Sequence, residues 1–388
     1  MPRAERAGRD PLIDGIRGFA LCGVLVVNTL SFPHVWSSPA GVVEPSASVL
    51  ALALQATCVA LFQAKSYPLL MFLVGYGWAM QSRRHGRSPP SPALATRRRQ
   101  MLRQGLLGVV HGLFIYYGDI LSWLALLGLL LLGAPRQRLR SLCRQCAAWT
   151  ALWLLAGGTA FALLLAGGQG TPAGGHWMTY ASSWPEVFEL NRQAYASYLW
   201  QVPWQVPMML SLGLLGVIAG RLRVLERARV GARLWSVGTR WLLPGGLLLN
   251  GSLAGWRVAL HPDGDPSAID FATQFTGPLL AAGVVLALVR TWHGGGVRWL
   301  AALAPLGRMT MTFYVGHTLA CLALFAGPAG ALAPVFGTVG LFALGLGWWL
   351  AGVVLAPAWL ARYGRGPLEA LVRGATSEPR ASRRNTIT

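Results

Sequence analysis

Long apolar segments separated by short arginine-rich segments dominate the hydrophobic pattern of this chain. Three of the apolar segments, residues 15–32, 147–165 and 337–360, carry almost no charge. Each runs for roughly 18 residues or more, the length at which a helix crosses about 30 Å of hydrocarbon. Because the apolar runs are unbroken, they do not fit the alternating pattern of a membrane β-barrel. The pattern therefore predicts transmembrane helices.

Along the whole chain this pattern predicts an all-α, polytopic transmembrane bundle of about ten spans. The predicted spans are residues 15–32, 49–80, 105–117, 120–132, 147–166, 200–220, 241–260, 271–289, 310–325 and 337–360. The stretch 49–80 exceeds one simple crossing and is broken near residues 65–68, so it forms either one or two membrane segments. We expect a single integral membrane domain over residues 1–375 and a disordered cytoplasmic tail at residues 376–388.

The arginines provide a check on this threading, since only the basic N-terminal segment was used to orient it. The chain is 12% charged, with a formal net charge of +20, whereas soluble proteins carry about 25% charged residues. The basic connectors all fall on one side, and the outer connectors hold only Arg192 and Arg257. This bias predicts that both ends are cytoplasmic, in an inner membrane. It also explains the net positive charge by connectors that lie beside membrane lipids, so binding to nucleic acid is not needed to explain the charge.

Two ionisable residues within predicted spans are candidates for function, because charge inside a membrane is costly. Lys65 is the only lysine of the chain, and it is either part of a site or a snorkelling residue at a helix break. His111 lies near mid-depth of the third span, between Gly108 and Gly112, which allow another helix to approach closely. Its imidazole can exchange a proton near neutral pH. The alternative is a structural histidine bonded to a backbone carbonyl.

Two further polar residues lie towards the predicted outer side. Asp119 follows the His111 span and can orient the imidazole only if the bend at residues 117–118 folds back. Otherwise it is a solvated or helix-capping aspartate. Asn28 lies about three to four turns into the first span, where it either holds a helix interface together or donates to a substrate oxygen.

A second group of candidates lies at the predicted cytoplasmic side. Asp14 and Arg17 are three residues apart and share a helix face, so they form part of a site or a local ion pair. Arg308 marks the cytoplasmic edge of the segment that leads to His317. No dense cluster of histidine, cysteine or carboxylate residues predicts a metal site.

Several segments, in order along the chain, resemble the YeiB-type bacterial inner-membrane proteins, which carry the domain of unknown function 418. These segments are residues 14–28 (DGIRGFALCGVLVVN), 62–69 (FQAKSYPL), 75–77 (GYG), 111–113 (HGL), 117–121 (YGDIL), 307–309 (GRM) and 366–369 (GPLE). The resemblance covers nearly the whole chain. It departs at residues 313–314 and 317–318, where the family pattern has Asn-Tyr and Gln-Ser and this chain has Phe-Tyr and His-Thr.

The opening Asp-x-x-Arg-Gly motif of these proteins is similar to that of transmembrane acyltransferases such as heparan-α-glucosaminide N-acetyltransferase. This likeness implies transfer of an acyl group from cytosolic acyl-CoA, such as acetyl-CoA, to an extracytoplasmic or lipid-linked acceptor. Such a reaction needs a base and an oxyanion donor. In this interpretation His111 is the base and Asp119 holds its tautomer, while Lys65 or Asn28 stabilises the oxyanion.

The CoA phosphates would be attracted by the basic cytoplasmic connectors, with Asp14, Arg17 and Arg308 as the cofactor-binding candidates. Two other functions stay open. A transporter or exporter of a small or lipidic solute fits the span count and the broken helix, although the sequence shows no inverted repeat. A non-catalytic membrane component would use the same polar residues for helix packing. Faces of small residues permit a homodimer without requiring one.

Overall fold

The computed structural model describes residues 10–32, 48–84, 91–166, 183–259, 267–296, 299–326 and 333–374. The proposed tail at residues 376–388 lies outside these ranges, as does most of the first outer connector. The described part of the chain forms helices joined by turns and contains no β-strand. This confirms the prediction of an all-α fold.

The helices begin and end as follows. They are α1 (Pro11–Ser31), α2 (Val49–Thr57), α3 (Ser66–Arg84), α4 (Ser91–Phe114), α5 (Leu121–Leu130), α6 (Leu139–Leu165), α7 (Trp184–Tyr198), α8 (Val202–Leu222), α9 (Ala228–Val237), α10 (Leu243–Ala259), α11 (Ser267–His293), α12 (Trp299–Ala302), α13 (Ala304–Gly307), α14 (Thr310–Phe325), α15 (Ala333–Tyr363) and α16 (Pro367–Arg373). Two π-helical turns, Cys58–Phe62 and Gly238–Leu242, follow α2 and α9 directly.

Six helical segments of the described chain are long and apolar enough to cross a membrane. They are Pro11–Ser31, Val49–Arg83, Leu139–Leu165, Val202–Leu222, Ala268–His293 and Val335–Tyr363. Each coincides with a predicted span, so the chain is a multi-pass membrane protein. The other four predicted spans coincide with helices that are shorter or that begin in an arginine-rich segment. The count of ten crossings and the orientation stay predictions.

Several helices extend beyond the spans that hydropathy located. The connectors at residues 81–104 and 221–240 were expected to be loops, but much of them belongs to α3, α4 and α9. Arginine is a good helix former, so the helices continue past their apolar parts. The outer connector likewise contains α7, where Ser183 and Glu186 form a capping box at the first turn. Hydropathy locates the apolar part of a helix and not its ends.

The break predicted in the second apolar stretch is present at residues 63–65, between the first π-helical turn and α3. Ala64 has a φ of 57° there, a conformation that side chains disfavour. The break comes slightly before the predicted position, because Pro68 falls in the first turn of α3, where the missing N–H costs little. The Lys65 ammonium donates to the carbonyl oxygen of Val59 at 2.6 Å, which closes the end of the interrupted helix.

Glycines allow the elements around the candidate site to pack backbone against backbone. Gly307, at the end of α13, contacts the carbonyl of Asp14 and the amide of Gly18 in α1. Gly108 of α4 lies against the backbone of Ser122 in α5. Trp349 of α15 donates its indole N–H to the carbonyl of Gly18 at 2.8 Å. These contacts join α13 and α15 to α1 and join α4 to α5.

Candidate functional site

His111 and Asp119 come together because α4 ends at Phe114, within one turn after His111. The amides of Ile115 and Tyr116 both donate to the His111 carbonyl at 2.9 Å, and the chain then turns back. This bend places Asp119 Oδ1 3.0 Å from His111 Nδ1, and neither side chain has any exposed surface. The structure therefore meets the condition under which Asp119 orients the imidazole.

Asp119 also caps the next helix. Its Oδ1 accepts the amide of Leu121 at 3.1 Å, and its Oδ2 accepts the amide and the hydroxyl of Ser122 at 2.7 and 2.5 Å. Three donors besides the imidazole thus compensate the carboxylate for the loss of water, as a helix N-cap does. Because the same donors fix the carboxylate in place, Asp119 can cap α5 and orient the imidazole at the same time.

The other imidazole nitrogen faces a hydroxyl group that the sequence analysis did not select. Thr318 of α14 places its Oγ1 2.8 Å from His111 Nε2 and is completely buried. The three side chains form a line from carboxylate to imidazole to hydroxyl, the arrangement that enzymes use to activate an oxygen nucleophile. The pattern that the sequence resembles implies serine at this position, and threonine likewise carries a hydroxyl.

Asn28 of α1 reaches the same cluster through Tyr314. The Tyr314 ring lies 5.1 Å from the His111 ring, and its hydroxyl donates to the Gly118 carbonyl at 3.3 Å. The Asn28 side chain lies near that hydroxyl. Its Nδ2 is buried and has no acceptor in the described part of the chain. An unused N–H donor of this kind is costly to bury, and it is what an oxyanion requires.

His317 lies on another face of α14, next to Thr318 in the chain. Its Nε2 is 2.7 Å from the Thr29 hydroxyl and 3.5 Å from the Cys321 sulfur. Sequence reasoning selected neither Thr318 nor Tyr314, although the two are four residues apart and so share a helix face. That spacing is the signal that could have found them.

Lys65 lies in a different part of the bundle from His111. Within the described residues, no contact joins its side chain to His111, Asp119 or Asn28. The ammonium is 5% exposed and donates to Val59, and the neighbouring Ala64 packs its backbone against Gly277 of α11. Lys65 therefore stabilises the helix break, and Asn28 is the candidate donor that the structure brings to the histidine.

The three cofactor-binding candidates lie at one end of the bundle. Arg17 donates to Asp14 at 2.9 Å, and Arg308 directly follows Gly307, which contacts the Asp14 backbone. The Arg308 guanidinium donates through Nη2 to the Gly364 carbonyl at 3.2 Å. Arg308 and Thr318 are ten positions apart, so this end lies about 15 Å from the histidine cluster at helical rise. No three His, Cys, Asp or Glu side chains of the described ranges group as metal ligands would.

Glu369 of α16 joins the same end to α14. Its Oε1 accepts the amides of Met311 and Thr312 at 2.8 and 3.2 Å, and its Oε2 accepts the Thr312 hydroxyl at 2.5 Å. The carboxylate thus caps the first turn of α14. Burial nevertheless raises the pKa of Glu369 above its usual value, although the hydrogen bonds from Thr312 and Met311 act in the opposite direction.

Replacement of Glu369 by glutamine is expected to remove a pH dependence of stability. A carboxyl whose pKa is raised by folding stabilises the protein below the unfolded pKa, near 4.5, and loses this contribution as pH rises through the raised pKa. The Tm of the wild type in detergent, relative to that of Glu369→Gln, should therefore be highest near the acidic end and fall towards neutral pH. A Tm difference that stays constant with pH would contradict this, and Glu369→Ala should lower Tm throughout because the cap is lost.

Comparison with known proteins finds sequences that are similar to this chain. Residues 219–378 match the family model described as a protein of unknown function, DUF418. The chain is 24% identical to "Uncharacterized protein YeiB" of Escherichia coli (strain K12) over 95% of its length and 96% of that protein. It is 32% identical to "Uncharacterized protein YxaH" of Bacillus subtilis (strain 168) over 33% of its length and 32% of that protein. The region matched by the family model includes α14, which carries Thr318, and α16, which carries Glu369, and the chain is similar to YeiB-type proteins and to the DUF418 family.

Proposed function

We propose that the protein is an acyltransferase of the bacterial cytoplasmic membrane. It moves an acyl group from cytosolic acyl-CoA to a hydroxyl or amine of an extracytoplasmic or lipid-linked acceptor. The observation that carries this proposal is the buried line of Asp119, His111 and Thr318, with a hydroxyl oxygen 2.8 Å from His111 Nε2. Enzymes that transfer acyl groups use a histidine that is oriented by a carboxylate and faces an oxygen nucleophile.

His111 acts as the general base in this proposal. Donation of its Nδ1–H to Asp119 fixes the tautomer and leaves the lone pair of Nε2 directed at the hydroxyl. The Thr318 oxygen marks the position at which an acceptor hydroxyl would lose its proton. Asp119 then stabilises the imidazolium that forms, since its carboxylate is already held by the start of α5.

The transfer needs no reactant other than the acyl-CoA donor and the acceptor. The acceptor oxygen forms a bond to the thioester carbonyl carbon while its proton passes to His111 Nε2. The carbonyl oxygen becomes an oxyanion, which the free Nδ2–H of Asn28 is suited to stabilise. The carbon–sulfur bond then breaks, and the imidazolium returns the proton to the CoA thiolate. The products are the acylated acceptor and free CoA.

Substrate access requires a movement that opens the cluster. His111, Asp119 and Thr318 have no exposed surface, so the described state is a closed one. Three of the helices around the cluster begin or end within a few turns of it and do not form an unbroken wall. α4 ends at Phe114, α5 begins at Leu121, and α14 begins at Thr310. Separation of α14 from the α4–α5 bend would expose both imidazole nitrogens together with the Asn28 amide. Exclusion of water in the closed state would strengthen these electrostatic interactions.

The direct test is an acyl-transfer assay in proteoliposomes made from bacterial lipids and the purified full chain. With labelled acetyl-CoA outside and free thiol as the readout, we expect saturable CoA release and label in the lipid or an added acceptor. Vesicles with heat-denatured protein provide the background. The proposal is wrong if the protein neither binds acetyl-CoA by calorimetry nor releases CoA above that background.

Replacement of Asn28 by alanine should lower the kcat of transfer by about 10²–10³-fold, the effect of losing one oxyanion donor. The dissociation constant for acetyl-CoA should stay within about twofold, since Asn28 lies away from the cytoplasmic end. Asn28→Asp provides a matched control, because it keeps the size of the side chain and removes the donor. If alanine raises KM and leaves kcat unchanged, Asn28 is a packing residue.

The interrupted helix supports a second candidate, transport of a small or lipidic solute. Transporter sites commonly lie where a membrane helix is broken near mid-depth, and residues 63–65 break such a helix beside the buried Lys65. The same vesicles distinguish the two functions. Solute or lipid exchange that is lost in Lys65→Met and kept in His111→Gln would favour transport over acyl transfer.

A further inference from the structure

A cavity of about 510 Å³ that is open to the surface lies where α15 ends and α16 begins. It is lined by the side chains of Trp359, Tyr363 and Arg365, by the backbone through Pro367, and by Ala370. Its volume is within the range of small-molecule sites. The proposed acyl transfer has not used this cavity, although it lies at the same end of the bundle as Arg308.

An aromatic pair forms one side of this cavity. The rings of Trp359 and Tyr363 have centroids 4.5 Å apart and planes 38° apart, and both residues stay partly exposed, at 38% and 57%. The Trp359 indole donates to the Arg365 carbonyl at 3.0 Å, which fixes the ring against the turn. The Arg362 guanidinium lies 5.5 Å from the Tyr363 ring centroid. An ordered and accessible aromatic surface of this kind suits stacking by a planar base.

Positive charge borders the same cavity. Arg365 is part of the lining, and Arg308 reaches its edge by donating to the Gly364 carbonyl. The Arg308 Nε is buried and has no acceptor in the described part of the chain. The nearby Glu369 carboxylate is directed to the first turn of α14, where it accepts three hydrogen bonds. Guanidinium groups are the usual partners of phosphate oxygens.

The distance between the cavity and the histidine cluster suits a ligand that reaches from one to the other. Arg308 precedes α14, and Thr318 lies ten residues further along it, about 15 Å at helical rise. An extended phosphopantetheine arm is of comparable length. A ligand whose base and phosphates occupied the cavity would thus be able to bring a thioester to His111.

We infer that this cavity binds the adenosine-phosphate end of acyl-CoA. The adenine stacks on Trp359 and Tyr363, and the phosphates bind Arg365 and Arg308. The inference rests on the proposed acyl transfer and adds to it the location and chemistry of donor recognition. It therefore predicts that the cavity matters for a donor with a nucleotide and is irrelevant for a donor without one.

The test compares two donors, acetyl-CoA and acetyl-pantetheine, which lacks the nucleotide. In proteoliposomes, the double variant Trp359→Ala and Arg365→Gln should raise the KM for acetyl-CoA by about tenfold or more, the size expected from loss of one stacked base. Its kcat/KM for acetyl-pantetheine should match the wild type. Trp359→Phe should restore most of the acetyl-CoA affinity. A matched control is Trp241→Ala with Arg240→Gln, an exposed arginine–tryptophan pair elsewhere in the chain, which should change neither donor.

Three results would overturn the inference. An unchanged KM for acetyl-CoA, or an equal loss with both donors, would show that the cavity does not recognise the nucleotide. Protection of an introduced cysteine at Ala370 by phosphatidylglycerol vesicles, without competition from CoA, would assign the cavity to a lipid headgroup instead. If the wild type uses neither donor, the proposed acyl transfer is itself wrong and the inference fails with it. If the wild type uses both donors and the variant behaves like it, only the inference fails.

Discussion

Replacement of His111 by alanine is expected to lower the rate of acyl transfer by about 10²–10⁴-fold, the contribution of a positioned general base. The imidazole is the only group described between Asp119 and Thr318, so no neighbour can take its place as proton acceptor. Acetyl-CoA binding should persist, because the arginines at the other end of the bundle are untouched. Initial rates of thiol release, divided by the amount of folded protein from size exclusion, measure the effect.

If His111 has only a structural role, its replacement should affect stability and leave turnover unchanged. Two further variants help to distinguish this role from a catalytic one. His111→Gln keeps a donor for Asp119 and removes the base, so it should retain the fold and lose turnover. His293→Ala provides a matched control, since His293 stacks on Trp235 and contacts the Leu225 carbonyl at 3.0 Å far from the cluster. If His111→Ala lowers Tm while turnover per folded molecule is unchanged, the imidazole merely satisfies Asp119 and Thr318.

The sequence predicts a membrane fold because a helix that crosses hydrocarbon needs a minimum length and few charged residues. Soluble folds have no such requirement. Segments such as 11–31 and 139–165 have no other stable environment. The ends of the helices follow less well, since α4 continues through the arginines before residue 105 and α7 forms in a polar connector. In both segments helix propensity and capping decide the structure, and the apolar content that hydropathy measures does not.

The candidate site was predictable as far as it is local. His111 and Asp119 are eight residues apart, and the bend that joins them follows the end of α4 at Phe114. Thr318, Tyr314 and Asn28 join the cluster through packing of distant helices. The spacing of Tyr314 and Thr318 indicates a shared helix face, but it does not indicate that this face contacts His111. Lys65 shows the converse, because its position in an apolar stretch reflects a bond to its own helix break and no link to the histidine.

Close packing of α3 against α8 supports the second large expected effect, a loss of stability on replacing Gly75 or Gly216 by alanine. A methyl group on Gly75 would overlap with the carbonyl oxygen of Gly213, and one on Gly216 would overlap with that of Phe72. Both obstacles are helix backbone, which cannot rotate away as a side chain does. Overpacking of this kind costs about 1–3 kcal/mol or more per site. Combined in one chain, the two substitutions should strongly reduce the folded fraction recovered in detergent.

The control for this effect is available within the same chain. Gly251 and Gly255 of α10 have open space where a methyl group would be added, so alanine there should be neutral or should stabilise by about 0.5–1 kcal/mol through helix propensity. Thermal unfolding in detergent, followed by tryptophan fluorescence, compares the two pairs. Equal midpoints for the two double variants would mean that α3 and α8 do not pack backbone to backbone. A large difference would identify this contact as a rigid part of the bundle, against which the α4–α5 bend and α14 can move to admit substrate.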